Sequence, residues 1–126
     1  MAESAGSRTR GPSEADRLFE ALPRRFLRDP DVNQGTGFGL TPGLRVGTKI
    51  FAMLRRDELV VKLPKGRVDE LVASGRGSRF DPRNDGRLMK EWVTVPVRHG
   101  AEWGRLADEA RRFVGSAARK ASRTKE

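Results

Sequence analysis

The residues of this chain with the clearest chemical potential are its cations. Lysine and arginine number 26 against 17 aspartates and glutamates, so the 126-residue chain carries a formal charge of +9. Such an excess attracts polyanions, with nucleic acid the first candidate and an anionic membrane surface the second. The same excess also arises when arginines simply cover solvated faces. Charge alone therefore leaves two alternatives, a polyanion-binding protein and a solvated basic surface.

Catalytic groups are scarce by comparison. The chain has one histidine, His99, and no cysteine, which excludes thiol chemistry and leaves no second histidine at a metal-binding spacing. No serine stands in a Gly-x-Ser-x-Gly nucleophile elbow. We therefore predict a protein that is not an enzyme, with no catalytic residue, no metal site and no cofactor.

The strongest local pattern is a pair of strand-like runs at residues 49–55 and 58–64, separated by Arg56 and Asp57. Side chains alternate across a strand, so one face of this antiparallel hairpin is apolar. The apolar face consists of Ile50, Ala52, Leu54, Leu59, Val61 and Leu63. The mixed face consists of Lys49, Phe51, Met53, Val60 and Lys62. This second face could be solvated or could meet a partner.

Several cations could act together near this hairpin. Lysines on or beside strands could contact phosphates while Trp92 stacks on a base; the alternative is that Trp92 packs in the protein and the lysines are solvated. The candidate nucleic-acid-binding residues are Lys49, Lys62, Lys65, Arg67, Lys90, Trp92, Arg119, Lys120, Arg123 and Lys125, and Arg76 and Arg79 add charge around the second helix. No helix-turn-helix, zinc-finger or RNP signature is present, so we expect nonspecific, phosphate-dominated binding.

The elements before the hairpin follow from capping and turn residues. Ser13 can form a capping box with Asp16 and start a helix, which Pro23 should kink or split. Residues 33–47 contain five glycines and predict one or two short strands with turns.

The elements after the hairpin complete an α+β pattern. Pro64 and Gly75 bracket a second helix, and residues 76–86 are predicted to be a polar loop anchored by Phe80. Residues 87–97 have Val93, Val95 and Val97 on one face and Trp92 and Thr94 on the other, as expected of a strand. The cleanest helical periodicity covers residues 101–118.

These elements predict one domain with the order α-β-β-β-α-β-β-α, an antiparallel sheet with helices packed on one face in two layers. Residues 1–12 should be a disordered tail because they lack periodicity and apolar side chains, residues 13–115 form the domain, and residues 116–126 form a basic tail.

Three blocks together resemble the MmcQ/YjbR family of small bacterial proteins, related to the N-terminal domain of the TfoX competence regulators. They are residues 38–39 with 42–52 (PGLRVGTKIFA), 59–64 (LVVKLP) and 87–95 (RLMKEWVTV), and the resemblance covers roughly residues 18–114. It implies a two-layer fold similar to that of secretion chaperones and a DNA-binding role, with no known reaction. The arginine-rich first helix and the basic ends depart from the family.

The expected setting is the bacterial cytoplasm. The chain has no apolar run long enough for a membrane span, no secretory signal and no cysteine. The expected partner is nucleic acid, with DNA favoured over RNA. The alternative is a protein-interaction module of chaperone-like architecture, including a homodimer, in which Phe51, Met53 and Trp92 are interface anchors.

Overall fold

A computed structural model of the chain describes residues 13–36, 42–81 and 89–125, with side chains described as far as residue 116 apart from that of Thr36. The predicted N-terminal tail, the turn signals at residues 82–86 and the family-like positions 38–39 and 87–88 lie outside the described residues.

Three α-helices and six strands make up the described part of the chain. The helices are α1 (Glu14–Ala21), α2 (Lys65–Ala73) and α3 (Trp103–Lys125), and two 3-10 segments, Leu22–Phe26 and Val97–Glu102, follow α1 and precede α3. The strands are β1 (Val32–Thr36), β2 (Pro42–Val46), β3 (Lys49–Arg55), β4 (Glu58–Lys62), β5 (Ser78–Phe80) and β6 (Met89–Pro96). Four strands thus precede α2, where the sequence predicted three.

The strands form one antiparallel sheet in the order β1-β2-β3-β4-β6-β5. Helix residues join one side of this sheet in a single core that includes Leu59, Val61, Val93 and Val95 together with Trp103 and Leu106 of α3. The buried cluster on the other side comes from strands alone. The predicted α+β class, with helices on one face of an antiparallel sheet, is confirmed.

Local signals set the first helix as predicted. The Asp16 amide donates to Ser13 Oγ at 3.1 Å and the Ser13 amide donates to Asp16 Oδ2 at 3.0 Å, which completes the capping box. The α-helix ends at Ala21 and a 3-10 segment containing Pro23 continues to Phe26. Proline has no amide hydrogen for the α-helical ladder, so the split predicted at this position is confirmed.

The predicted hairpin forms, with Arg56 and Asp57 at the turn in left-handed conformations (φ of 52° and 63°). Its alternation is interrupted by a β-bulge, because Leu44 pairs with Ala52 and Arg45 pairs with Ile50, so that Phe51 has no partner in β2. Such an extra residue shifts the side-chain phase.

Because of the bulge, two predictions about the hairpin faces are wrong. Phe51 belongs to the helix-covered core, where its ring meets Phe26 edge to face with centroids 5.5 Å apart. Ile50, predicted for the core face, packs against the second cluster on the outer face. Regular alternation cannot reveal a bulge, because the extra residue is defined by pairing with another strand.

Residues 76–86 were predicted to be a loop, but residues 78–80 form the short edge strand β5. A Cβ on Gly77 would lie 2.7 Å from Val93 Cγ2 and 2.9 Å from the Thr94 carbonyl oxygen. The bare glycine lets the chain approach β6 closely here. Three residues are too few to show a period of two, so the sequence pattern does not identify this strand.

Candidate functional site

Four of the predicted binding residues line one open depression at the end of the sheet. Lys62 ends β4, Lys65 begins α2, and Lys90 and Trp92 lie in the first half of β6. The depression has a volume of about 430 Å³ and is also lined by Met89 and Glu91. We call this region the lysine depression. Long-range strand pairing creates it, because Lys62 lies opposite Trp92 in the antiparallel register of β4 and β6.

Trp92 forms the floor of the depression rather than an open platform. Its side chain is packed with Met53, Val60 and Phe80 in the outer cluster, and only 7% of the residue is exposed. Lys62 Nζ lies 5.9 Å from the centre of its ring, a cation–π distance. Of the two alternatives for Trp92, the geometry favours packing, because little ring surface is left for a base.

The lysines of the depression differ in how their charge is balanced. Lys65 Nζ lies 2.8 Å from Asp69 Oδ2 one helical turn along α2, in a pair open to solvent. Within the described ranges, no carboxylate forms an ion pair with Lys62 or Lys90. Glu91 is exposed on the rim. The depression therefore has three ammonium groups and two carboxylates around it, with two ammonium groups unpaired.

Arg67 lies nearby on α2 but points its charge elsewhere. Its guanidinium donates to both carboxylate oxygens of Glu109 on α3, at 2.9 and 3.2 Å, and to Glu70 at 3.1 Å. The hydrogen bond to Glu109 is the main cause of a raised pKa at Arg67. This arginine joins α2 to α3, and the structure does not bring it into the depression.

Lys49 is exposed at the start of β3, but not on the face where alternation put it. It pairs with Val46, which belongs to the helix-covered core, whereas Lys62 projects on the outer side with Trp92. The prediction that Lys49 and Lys62 share the mixed face is therefore wrong. The bulge at Phe51 is the physical reason, because the extra residue puts the side-chain alternation at one end of β3 out of step with that at the other end.

The predicted tail cations Arg119, Lys120, Arg123 and Lys125 lie in the last turns of α3, and their side chains are outside the described residues. The helix was expected to end at Ala118 and continues to Lys125. Trp103 Nε1 donates to the Pro96 carbonyl, and a Cβ on Gly115 would lie 4.0 Å from Val46 Cγ2, so α3 crosses the sheet between these points. Its last turns continue beyond the sheet end that carries Lys62.

Four other described arginines near the helices are held by acids from distant parts of the chain. The pairs that link separate elements are Arg25 with Asp108, Arg76 with Glu102, Arg79 with Asp69, and Arg111 with Asp29. Arg76 and Arg79, which the sequence offered as extra positive charge, are thus paired. Each pair joins residues ten or more positions apart, which no local pattern predicts.

Other kinds of site find little support in the described part of the chain. Residues 13–36, 42–81 and 89–125 contain no group of three or more metal-ligating His, Asp or Glu side chains. His99 lies partly exposed in the 3-10 segment before α3. No helix among the described residues has the length and apolar character needed to cross a membrane.

Comparisons with family models, with curated proteins and with solved structures find no match to this chain. The resemblance to the MmcQ/YjbR family therefore stays a prediction, and the lysine depression has to be interpreted from its own chemistry.

Proposed function

We propose that this protein binds nucleic acid without sequence specificity, through phosphate contacts made by Lys62, Lys65 and Lys90. The observation that supports this most strongly is the gathering of three lysines in one open depression, two of them without a carboxylate partner in the described chain. Ammonium groups in such a site can replace the counterions of neighbouring phosphates, which is the main source of nonspecific affinity.

The proposed contacts are to the backbone of the nucleic acid and not to its bases. Trp92 is 7% exposed and lies beneath Lys62, so it has little free surface on which to stack. A lysine ammonium is a compact point charge, without the fixed fork with which arginine reads guanine. Phosphate contacts fix the position of a ligand but carry no sequence information directly.

Two neighbouring features favour an anionic ligand at the same end of the sheet. The first turn of α2 begins at Lys65, contains no acidic residue and has no side-chain cap, so its amide groups add partial positive charge. The ten residues of α3 after Gly115 extend about 15 Å further at that end and include Arg119, Lys120, Arg123 and Lys125. We propose that they add phosphate contacts along a longer ligand.

The wider assignment follows from the same proposal. We propose a non-enzymatic bacterial protein of the MmcQ/YjbR type that acts in the cytoplasm on DNA in preference to RNA. Its support is the resemblance of the three sequence blocks, two of which contribute Lys62 and Lys90 to the depression. Parallel binding measurements on duplex DNA, single-stranded DNA and RNA test the preference.

A salt titration tests the proposed function directly. Binding of the full chain to short labelled duplexes is followed by fluorescence anisotropy between roughly 50 and 200 mM salt. Affinity should fall steeply, and the triple variant Lys62→Ala, Lys65→Ala, Lys90→Ala should lower the slope of log affinity against log salt by about 2.7, about 0.9 for each lost contact. The charge-matched control is Arg56→Ala, Arg98→Ala, Arg112→Ala, which removes three exposed cations outside the depression.

Three outcomes would count against the proposal or narrow it. If the wild-type chain does not bind nucleic acid at low salt, the proposed function is wrong. If both triple variants lose the same affinity, net charge matters and the depression does not. If the lysine variant binds like the wild type, the contacts belong to α3, and the full-length variant with Arg119, Lys120, Arg123 and Lys125 changed to glutamine should lose binding instead.

A further inference from the structure

We infer that two copies of this chain associate through β1, joining their sheets edge to edge around a two-fold axis at Gln34. The inference does not depend on the proposed nucleic-acid binding. It rests on the backbone of β1, on an exposed leucine beside it and on the distribution of charge along the same edge.

β1 ends the sheet on one side and pairs only with β2 among the described strands. The Asp31 carbonyl accepts a hydrogen bond from the Gly47 amide at 2.9 Å, so the peptide groups of Asp31 face β2. Asn33, two residues further on, pairs with Arg45 and faces β2 in the same way. Peptide groups alternate in direction along a strand, so the amide and carbonyl of Gln34 point away from β2. This edge therefore offers hydrogen-bonding groups to another strand.

Within the described residues, β1 also lacks the sequence features that usually prevent strand pairing. β1 has the sequence VNQGT, with no charged residue and no proline. Natural proteins commonly protect an edge with lysine, proline or a bulge, and a five-residue edge without them is open to addition of a strand. At the opposite edge, β5 has only three residues and carries Arg79.

Leu27 provides an apolar contact next to this edge. It is 80% exposed and is the large hydrophobic residue that the described chain leaves most open to solvent. It borders a groove of about 200 Å³ that is also lined by Pro23, Phe26, Val32 and Gln34. We call this the Leu27 groove. It lies on the helix side of the sheet, because Gln34 pairs with the core residue Leu44.

A second groove continues along the edge on the other side of Gln34. It has a volume of about 250 Å³ and is lined by Asp16, Glu20 and Gly35, sharing Pro23 and Gln34 with the Leu27 groove. We call it the Glu20 groove. A two-fold axis at Gln34, perpendicular to the sheet, keeps both helix layers on one side and places each Leu27 groove opposite the partner's Glu20 groove.

Charge complementarity selects a second copy as the occupant. Glu20 lies at the Gly35 end of the edge and Arg28 follows Leu27 at the Val32 end, and both are exposed. The acids at the Val32 end are Asp29, which lines the Leu27 groove, and Asp31, and both lie within 4 Å of Arg111, at 2.7 and 3.9 Å. Neither Glu20 nor Arg28 forms an ion pair within the described ranges. Antiparallel pairing of two β1 strands brings the unpaired Glu20 of each copy to the end where the unpaired Arg28 of the other lies, which gives a self-complementary interface.

The mass of the full chain in solution tests this inference, with nucleic acid absent. Light scattering after size exclusion should show a mass approaching twice 14.0 kDa as the concentration rises. Leu27→Asp should raise the dimer dissociation constant by about thirtyfold or more, the effect of losing an anchor residue on both sides. Gln34→Pro should do the same because it removes an edge amide. Ala101→Asp is the matched control, because it also introduces an aspartate at an exposed position. This variant should dimerise like the wild type.

A single cysteine tests the register. The natural chain has no cysteine, so Gln34→Cys introduces a unique thiol. Opposed residues of a hydrogen-bonded antiparallel pair lie about 5.5 Å apart between Cα atoms, a distance at which disulfides form. Mild oxidation should give a disulfide dimer, whereas Ser78→Cys on the other edge should not cross-link.

The outcomes are decisive even if a variant folds poorly. Leu27 is 80% exposed, so its substitution should leave the fold intact, as circular dichroism can check. A wild-type chain that stays monomeric at every concentration overturns the inference. A dimer that survives both Leu27→Asp and Gln34→Pro also overturns it, because its interface must then lie elsewhere.

Discussion

The arginines of the helix layer and the lysines of the depression have opposite relations to the acidic residues around them. Arg25, Arg67 and Arg111 each meet a carboxylate from a distant segment, and these contacts hold α3 against the rest of the domain. Lys62 and Lys90 have no such partner within the described chain, and Lys65 has only an open contact with its neighbour on α2. The positive charge of the protein thus divides into a structural part and an available part.

The chemistry of the two side chains suits these two roles, although exposed arginines such as Arg112 have no ion pair within the described residues. A guanidinium presents a planar fork that can bind both oxygens of a carboxylate, as Arg67 does with Glu109. Lysine carries a point charge on a flexible stem and remains hydrated unless a partner is fixed close by. The count of 26 lysines and arginines therefore overstates how many cations can attract phosphates, whereas the net charge of +9 is unchanged by the pairing.

The largest effect expected from this comparison is on stability. Arg111 donates to Asp29 at 2.7 and 3.3 Å, and both side chains are less than one quarter exposed. Arg111→Ala should lower the free energy of unfolding by about 2 kcal/mol, between the values for exposed and fully buried pairs. Arg112→Ala, next to it and exposed, should change it by less than about 0.5 kcal/mol. Urea unfolding measures both, and equal losses would break the division into structural and available cations.

The Arg111–Asp29 pair should make the free energy of unfolding depend on pH in the acidic range. The hydrogen bond from Arg111 lowers the pKa of Asp29 below its usual 3.8. In acid the unfolded chain therefore binds this proton before the folded chain does, and the stabilisation is lost as the pH falls through the lowered pKa. The free energy of unfolding should fall more steeply on acidification in the wild type than in Asp29→Asn. In an Arg111→Ala background the difference in slope between Asp and Asn at position 29 should shrink, because only the Asp31 amide, at 3.2 Å, still donates to the Asp29 carboxylate. An undiminished difference would show that Arg111 is not its cause.

The turn at Arg56 and Asp57 provides a test outside both groups of cations. Both residues have positive φ, a conformation that favours Asn and Gly in two-residue hairpins. Replacing them together, Arg56→Asn with Asp57→Gly, should raise the free energy of unfolding by about 1 kcal/mol. Nucleic-acid affinity should not change, because the turn lies at the opposite end of β4 from Lys62. Thermal unfolding and anisotropy measure the two, and weaker binding would extend the proposed site beyond the lysine depression.

The smallest effect should come from converting paired cations into available ones. Asp69 accepts from Lys65 and also pairs with Arg79. Asp69→Asn should raise nucleic-acid affinity about two- to threefold at low salt, because a negative charge is lost and Lys65 is released. Glu70→Gln, which changes the charge equally beside Arg67, should have less effect. Identical gains in anisotropy titrations would mean that net charge controls binding and position does not.

Local patterns predicted a large part of the fold. The capping box at Ser13, the break at Pro23, the central hairpin and the left-handed Gly75 after α2 were all predicted, because each depends on a few adjacent residues. The valines of β6 face the helix-covered core as their alternation predicted. The short strand β5 and the full length of α3 were not identified, since neither has a distinctive local period.

The candidate site was only partly predictable. Lys62, Lys90 and Trp92 were chosen from their strands, and the pairing of β4 with β6 brings them together. Lys49 was chosen on the same grounds and Arg67 as a cation of the second helix, and neither joins them. A bulge separates Lys49 from the outer face, and Glu109 of α3 engages Arg67. Both causes involve residues far apart in the chain.

The amino-acid sequence by itself determined the class of the fold, the amphipathic faces of the helices and of β4 and β6, and the excess of positive charge. These properties depend on residue type and on spacing over a few positions. Tertiary structure alone decided which cations are neutralised, which face Phe51 and Lys49 occupy, and that Trp92 supports Lys62 from below. Such outcomes depend on strand register and on contacts between distant segments, which exist only after the chain has folded.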